Sequence, residues 1–214
     1  MFYKLLLIVC VTIIMLLASV WLFWYKPKFA TQGSKAYNTA IKKNSELFMK
    51  LQSKAKDLTE FAKTNKYNTD ICFLIDMQIE SGRNRFFVYD IKNDTILLSA
   101  LVAHGSCDNG FKKDATFSNK INGGCSSLGR YKIGGAYYGR FGKSYKLYGL
   151  DSSNSNAFKR SVVLHAYECV PEQETYPLPI CNSRGCPMVS PGFMNQLTPI
   201  INSSAKPMLI WIFN

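Results

Sequence analysis

The sequence predicts one mainly β domain of the sandwich or barrel kind with few short helices, preceded by an apolar helix and an amphipathic helix. Three observations lead to this prediction. From residue 69 onward, short runs of β-branched and aromatic residues alternate with turn-forming residues. The 214 residues include 14 Phe and 12 Tyr and are 47% hydrophobic, which favours a packed β-rich domain and excludes a disordered chain. Before this region, the chain begins with an uncharged apolar run and continues with a lysine-rich stretch of helical periodicity.

The apolar run occupies residues 5–25, after a short tail of residues 1–4. At about 1.5 Å per residue, it is long enough to cross a hydrocarbon core of roughly 30 Å. Its far end is rich in Trp and Tyr rather than in small residues, which favours an uncleaved membrane anchor over a signal peptide. The lysines that follow it favour a cytoplasmic domain by the positive-inside rule, although large domains often cross the membrane regardless of charge.

Residues 26–68 are predicted to form a basic linker and an amphipathic helix. Apolar side chains recur at helical spacing from Tyr37 to Ala62, and lysines dominate the opposite face. The helix either packs on the domain with a solvated basic face or rests on anionic lipid. The net charge of +12 favours anionic partners, and the predicted anchor argues against nucleic acid, leaving a membrane surface or an acidic polymer such as cell wall.

Residues 69–214 form the predicted domain. One helix is expected at residues 191–202, because Ser190 can cap its first amides and Pro191 suits its first turn. The predicted strands lie within residues 72–77, 85–91, 95–105, 129–139, 146–151, 161–167 and 207–213.

Six cysteines follow the apolar run, and their spacing fits no zinc site, so no metal is predicted. The pairs Cys107–Cys125 and Cys169–Cys181 flank loops rich in Gly, Pro, Ser or Asn, and they are the favoured disulfides. Sequence alone does not fix this connectivity, and buried free thiols remain the alternative.

The chemistry of the domain is expected at its histidines and at Cys186. His104 and His165 are the two histidines, and His165 ends a predicted strand. Twenty-one residues later comes Cys186, within the sequence Ser-Arg-Gly-Cys-Pro of residues 183–187. A thiol becomes an effective nucleophile when an imidazole accepts its proton, and amides near Cys186 can stabilise an oxyanion. A buried Cys beside a structural His is the non-catalytic interpretation of the same pattern.

The segments VVLHAY and SRGCPMV resemble the His…Ser-x-Gly-Cys signature of the L,D-transpeptidase catalytic-domain family, in the branch where Pro follows the cysteine. The resemblance continues in RFFVYDI, VAHG, FSN, SSLG and YGRFGKSYKLYGLD, and it covers roughly residues 69–213. The sequence departs from the family at Ala166, where many members have Gly. It also departs at Asn182, where the proline branch commonly has Arg; here the arginine is at position 184.

The resemblance implies a β-rich fold that acts on peptidoglycan stem peptides outside the cytoplasmic membrane, without metal or cofactor. Cys186 matches the nucleophile, His165 its base, and Ser183 and Gly185 the small motif residues before the nucleophile. The expected reaction is acyl transfer through a Cys186 thioester to an amine. Water as acceptor makes the same residues an L,D-carboxypeptidase or a cross-link hydrolase. An anchored wall-binding module without catalysis is the alternative of another class, while sortases need an arginine downstream of the cysteine, and none follows Cys186.

Four residues are predicted to bind the acidic substrate. Residues 115–150 contain no Asp or Glu but several Lys and Arg interleaved with tyrosines, which suits a ligand that carries carboxylates. The predicted substrate-binding residues are Arg184, His104, Arg140 and Lys143; for His104 a structural role is the alternative.

Overall fold

The computed structural model describes residues 2–23 and 31–214, which divide into two compact units, Met1–Lys50 and Leu51–Asn214. In the first unit, helix α1 spans Phe2–Val20, and the apolar helical stretch Phe2–Phe23 is 22 residues long with a mean hydropathy of 2.9. By length and composition this stretch can cross a membrane, and a signal sequence has the same properties. The last two residues of the predicted span and the first five of the predicted linker lie outside the described residues.

Helix α2 spans Thr31–Asn65, and its last fifteen residues belong to the second unit. Leu51, Ala55, Leu58 and Ala62 recur at i, i+4, i+7 and i+11 and are all buried, so this part of α2 packs on the domain through one apolar stripe. The amine of Lys54 lies 4.4 Å from the ring centre of Trp211, on the same packed face.

Eight strands form one mixed sheet, which confirms the mainly β prediction. Their order across the sheet is β3-β2-β1-β8-β4-β5-β6-β7, with β1–β8 and β6–β7 parallel and the other neighbours antiparallel. The strands are β1 (Ile71–Asp76), β2 (Phe86–Asp90), β3 (Thr95–Ala100), β4 (Gly129–Gly139), β5 (Gly142–Gly149), β6 (Val163–Ala166), β7 (Met188–Val189) and β8 (Leu209–Phe213).

The two edges of the sheet come together through a bridge beside β7. Ala103, which follows β3, forms an antiparallel bridge with Met188 of β7, and its amide donates to the Met188 carbonyl over 2.8 Å. The predicted strand at residues 95–105 therefore ends as a regular strand at Ala100 and continues as isolated bridges, Ala103 with Met188 and Gly105 with Ser183. The sequence left sandwich and barrel open, and the structure shows a single sheet curled until its edges meet.

Helix α3 (Pro191–Ser203) fills the concave side of the sheet. Ser190 caps it by accepting a hydrogen bond from the Phe193 amide, as the sequence predicted. Phe193 and Leu197 join the main core with inward residues of the strands, such as Phe86 and Leu147. On the opposite face of the sheet, α2 contacts Trp211 of β8 and Arg130 of β4, and His165 of β6 lies two strands further along the same face.

Both favoured disulfides are present. Cys107–Cys125 ties together the loops between β3 and β4, and Cys169–Cys181 ties the segment after β6 to the segment before β7. Each bridge therefore fastens a loop that borders Cys186.

Candidate active site

Cys186 is the accessible free thiol of the domain. The described free cysteines are Cys10, Cys72 and Cys186. Cys10 lies in α1, and Cys72 is 1% exposed in β1, where burial raises its pKa to about 12. Cys186 is half-buried in the turn that leads into β7, so among these thiols it is the one that a substrate of the domain can reach.

The thiol of Cys186 is held against the start of β6. The Val163 amide donates to Sγ over 3.5 Å, and Sγ lies 3.9 Å from the Ser161 carbonyl oxygen to which it donates. Burial raises the pKa of the Cys186 thiol, while the Val163 amide and the Arg160 guanidinium act in the opposite direction. The thiol is therefore protonated at neutral pH.

Ser183 and Gly185 shape the turn that presents this thiol. The Ser183 hydroxyl donates to the Cys186 carbonyl over 2.6 Å and accepts from the Gly185 amide over 3.1 Å, which closes the turn on itself. Gly185 has a φ of +106°, and a Cβ there would lie 2.6 Å from the Cys125 carbonyl oxygen. Only glycine fits this backbone conformation and this close approach. Because Ser183 occupies the Gly185 amide, that N–H serves the turn rather than an oxyanion.

His165 lies in β6 with 2% of its surface exposed. Its Nδ1 is 3.0 Å from the Ala166 carbonyl oxygen. Since a carbonyl only accepts, Nδ1 carries the proton and Nε2 of the neutral ring keeps its lone pair. Burial lowers the pKa of His165, and the bond to Ala166 offsets part of that effect. The ring is therefore uncharged at neutral pH, and its Nε2 can accept a proton.

The register of the sheet brings the predicted nucleophile and base to one face. His165 pairs with Met188 of β7, and Cys186 precedes Met188 by two residues. Residues two apart on neighbouring strands lie roughly 8 Å apart at Cα, given a strand spacing of about 4.8 Å and a rise of about 3.3 Å. The thiol bonds to the backbone of β6 and the imidazole to the carbonyl of Ala166, so each group is oriented before a substrate lies between them.

Arg184 points away from this turn into solvent. Its side chain is 86% exposed and pairs with Asp108 over 3.2 Å. Arg184 lines a surface pocket of about 350 Å³ together with Asp108 and Arg160. If Arg184 binds substrate, as predicted, the contact is made at the outer wall of this pocket.

His104 is completely buried beneath the same turn. Its Nδ1 accepts from the Arg85 guanidinium over 2.9 Å, and its Nε2 lies 3.2 Å from the Asn182 amide nitrogen. Burial, reinforced by the Arg85 cation, lowers the pKa of His104 to about 4. With no exposed ring surface, His104 is out of direct reach of a substrate, and its carbonyl accepts a hydrogen bond from the Ser183 amide over 2.8 Å. Asn182, where the family branch commonly has Arg, holds the backbone of Lys112.

The hairpin between β4 and β5 carries Arg140 and Lys143. Its tip residue Phe141 stacks on His165, with ring centres 4.2 Å apart and planes 22° apart. Arg140 is exposed next to Phe141, and Lys143 pairs with Tyr138 in the ladder. Arg140 is thus exposed at the hairpin tip that covers His165, whereas Lys143, next to Ser144 along β5, alternates to the opposite side of the sheet from His165.

Two further residues at the site lacked a sequence signal. Arg160 donates to the carbonyls of Ser118 and Cys125 and to the Ser127 hydroxyl, so it fastens the disulfide-tied loop, whose Cys125 carbonyl lies close to Gly185. Phe141 covers the imidazole from a loop position that shows no periodicity. In the described part of the chain, no group of three or more His, Cys, Asp or Glu is placed to hold a metal ion.

A family model and several solved structures are similar to this chain. The family model described as "L,D-transpeptidase catalytic domain" matches residues 42–211. No curated protein sequence matches significantly. Similar solved structures include an L,D-transpeptidase from Xylanimonas cellulosilytica (13% identity, 72% of this chain and 68% of that one, TM-score 0.38) and a Cys-to-Ser mutant of the Enterococcus faecium L,D-transpeptidase (12%, 67% and 50%, 0.42).

A third similar structure is a Lys-to-Ala mutant of the helical cell shape determining protein Pgp2 from Campylobacter jejuni (11% identity, 68% of this chain and 48% of that one, TM-score 0.43). The chain thus spans about half the length of the last two proteins. The family model itself covers most of the chain, from the middle of α2 into β8. On that match, the chain belongs to the L,D-transpeptidase catalytic-domain family.

Proposed function

We propose that this protein is a peptidoglycan L,D-transpeptidase in which Cys186 is the nucleophile and His165 its general base. The observation that carries the proposal is the closed turn of residues 183–186, which holds the accessible thiol on the same sheet face as a neutral imidazole with a basic Nε2. The family match supports the reaction class, and the predicted anchor in residues 5–25 would hold the domain at the outer side of the cytoplasmic membrane, where stem peptides occur.

The reaction proceeds by thiol acyl transfer. His165 Nε2 accepts the Sγ proton as Sγ attacks the amide carbon between the third residue of a donor stem and its terminal D-residue. Amides of the turn other than that of Gly185 stabilise the tetrahedral oxyanion. The imidazolium then protonates the departing amine, the C–N bond breaks, and a thioester with Cys186 remains. An acceptor amine attacks the thioester, gives its proton to His165 and releases the thiol with a new amide.

The electrostatics favour a base-assisted attack over a preformed ion pair. Burial raises the pKa of the Cys186 thiol and lowers the pKa of His165, so both groups are neutral before the substrate arrives. Proton transfer thus accompanies bond formation, and the charges develop only when an oxyanion is present to share the donors of the turn.

The same residues serve two other outcomes. Water in place of the amine gives an L,D-carboxypeptidase or a cross-link hydrolase with identical acylation chemistry. A wall-binding module would hold the peptide without forming the thioester, and it is the alternative that an acylation experiment separates most directly.

A carbapenem provides that experiment, because a thiolate opens its strained ring and no amine is present to remove the adduct. Intact-mass measurement of the full chain is expected to show one drug per chain, located at Cys186 by peptide mapping. Cys186→Ala should remain unmodified, His165→Ala should react far more slowly, and Cys72→Ala should react like the unmodified protein. Incubation with a purified stem tetrapeptide, read by mass spectrometry, should release the terminal D-residue. Folded protein that forms no adduct and releases no D-residue would favour the binding module.

A further inference from the structure

The outward side chains of β4, β5 and β6 form one continuous surface that begins at the candidate site. Ser144 pairs with His165 and Lys146 with Val163, while Tyr137 pairs with Ser144 and Lys132 with Tyr148. Directly paired residues share a face, and so do alternate residues along a strand. His165 and Ser144 share this face but are buried. The accessible part of the face, called here the lysine–aromatic track, consists of Lys146, Tyr148, Tyr137 and Lys132.

The track leads directly away from the thiol. The Val163 amide contacts Cys186 Sγ, and Lys146 is the residue paired with Val163 on the next strand. Two strand spacings of about 4.8 Å place the backbone of Lys146 roughly 10 Å from that of Cys186, and a third spacing reaches β4 at roughly 14 Å. A fully extended peptide of four residues has about the same length. A substrate held at Cys186 can therefore lie across the track.

Aromatic rings position the two amines of the track without neutralising them. The amine of Lys146 lies 5.7 Å from the centre of the Tyr137 ring and 5.8 Å from that of Phe158, and the amine of Lys132 lies 4.6 Å from that of Tyr148. Tyr148 and Phe158 stack on each other with centres 5.1 Å apart, and Phe158 is 55% exposed. The track thus presents cations and apolar ring surface side by side.

These cations lack an acidic partner. Neither Lys132 nor Lys146 forms an ion pair among residues 2–23 and 31–214, and the stretch of residues 115–150 contains no Asp or Glu. Arg130, one row further along β4, differs: it pairs with Asp151 and stacks on Phe61 of α2. The unpaired charge is therefore confined to the part of the sheet that α2 leaves open, beside the thiol.

The track opens at its far end into a pocket of about 440 Å³. Lys132, Tyr148 and Lys206 line this pocket, where β4 bulges at Gly134 and Gly135 and loses its partner β8. A third lysine, Lys206, thus lines the same pocket as Lys132.

We propose that Lys146, supported by Lys132, forms a carboxylate-binding subsite for the donor stem peptide. This inference rests on the proposed function, because the peptide is located by its scissile amide at Cys186. The stem carries several carboxylates within a few residues of that amide, and an extended segment matches the length of the track. The rings contact its apolar atoms, and the amines contact its carboxylates.

Binding to the Cys186→Ala full chain tests the subsite separately from catalysis. We expect a synthetic stem tetrapeptide to bind about fivefold more weakly when Lys146→Met is added, at the upper end for an exposed ion pair. Methionine keeps the apolar stem over the rings, and Lys146→Arg should largely restore binding. Lys92→Met removes the same charge from the exposed turn between β2 and β3 and should leave binding unchanged. A tetrapeptide with amidated carboxylates should bind equally with and without the Lys146→Met substitution.

The outcomes separate this inference from the proposed function. Equal affinity for the Lys146→Met and Lys92→Met proteins, or no binding at all, would overturn the subsite even if the unmodified enzyme releases the D-residue. Selective weakening by Lys146→Met, together with no turnover and no carbapenem adduct in the unmodified enzyme, would support the subsite and overturn the proposed catalysis. If Lys146→Met weakens binding of the amidated peptide as much as binding of the unmodified peptide, the carboxylate is not the recognised group.

Discussion

Replacing Ser183 by alanine tests whether the turn around Cys186 orients the thiol. The Ser183 hydroxyl donates to the Cys186 carbonyl over 2.6 Å and accepts from the Gly185 amide over 3.1 Å, and the residue is 7% exposed. Alanine removes both hydrogen bonds and leaves a buried amide and a buried carbonyl without these partners. The change leaves the backbone bonds that join Ser183 to His104 and Ser106 in place.

The two lost hydrogen bonds set the expected decrease in the free energy of unfolding. At about 1 kcal/mol for each hydrogen bond, the free energy of unfolding should fall by about 2 kcal/mol. For a domain of this size that corresponds to a fall in melting temperature of roughly 4–8 °C, which leaves the protein folded at 25 °C. Because the hydroxyl fixes the position of the thiol, acylation should fall further, by about 100-fold for a displacement of roughly 1 Å.

Ser190→Ala is the matched control. Ser190 is also buried and also makes two side-chain hydrogen bonds, donating to Glu172 over 2.6 Å and accepting from the Phe193 amide over 3.2 Å. Its loss should destabilise the domain by a similar amount while leaving the thiol turn intact. Thermal unfolding and the rate of carbapenem adduct formation are measured on both variants. Equal adduct rates for Ser183→Ala and Ser190→Ala would refute the orienting role of Ser183.

Two further predictions concern the imidazole and the glycine of the turn. Phe141→Ala exposes His165 to water, so the lowered pKa of His165 should rise toward its ordinary value. In a pH–rate profile, the acid limb of acylation should then move to higher pH, and an unmoved limb would contradict this. Gly185→Ala puts a Cβ 2.6 Å from a backbone carbonyl oxygen at a φ of +106°. The free energy of unfolding, measured by denaturant titration, should therefore fall by about 1–3 kcal/mol, and carbapenem adduct formation should largely cease. Unchanged acylation would show that the turn tolerates displacement.

Features that depend on local chemistry could be predicted from the sequence. The strands follow from runs of apolar and aromatic residues, and helix α3 begins at Pro191 because Ser190 supplies a hydroxyl at its N-cap. The turn residues Ser183 and Gly185 were predicted from the family motif. The structure adds the physical reasons for their identity, a doubly hydrogen-bonded hydroxyl and a positive φ against a carbonyl.

Features that depend on long-range contacts could not be predicted. Strand β7 has two residues, Met188 and Val189, and it pairs with β6 and with Ala103, which lies 85 residues earlier in the chain. Arg160 is an isolated arginine in a loop, and its link to Cys125 exists only because the disulfide brings that loop under the nucleophile turn. No pattern in a single sequence distinguishes such an arginine from a solvated one. His104 shows the same difficulty, since its complete burial against Arg85 follows from how the sheet edges meet.

The division of the sheet's outer face explains why one basic chain uses its cations in two ways. Under α2, cations lie against rings: Lys54 over Trp211 and Arg130 over Phe61, with Asp151 neutralising the arginine. These contacts fasten the helix to the sheet, and their charge is partly offset. Beyond the helix, the same face continues without acidic residues, and the positive potential of its lysines is left for a ligand. Since both regions share strand β4, the position of α2 sets the boundary between the surface that holds the helix and the surface that we propose for substrate binding.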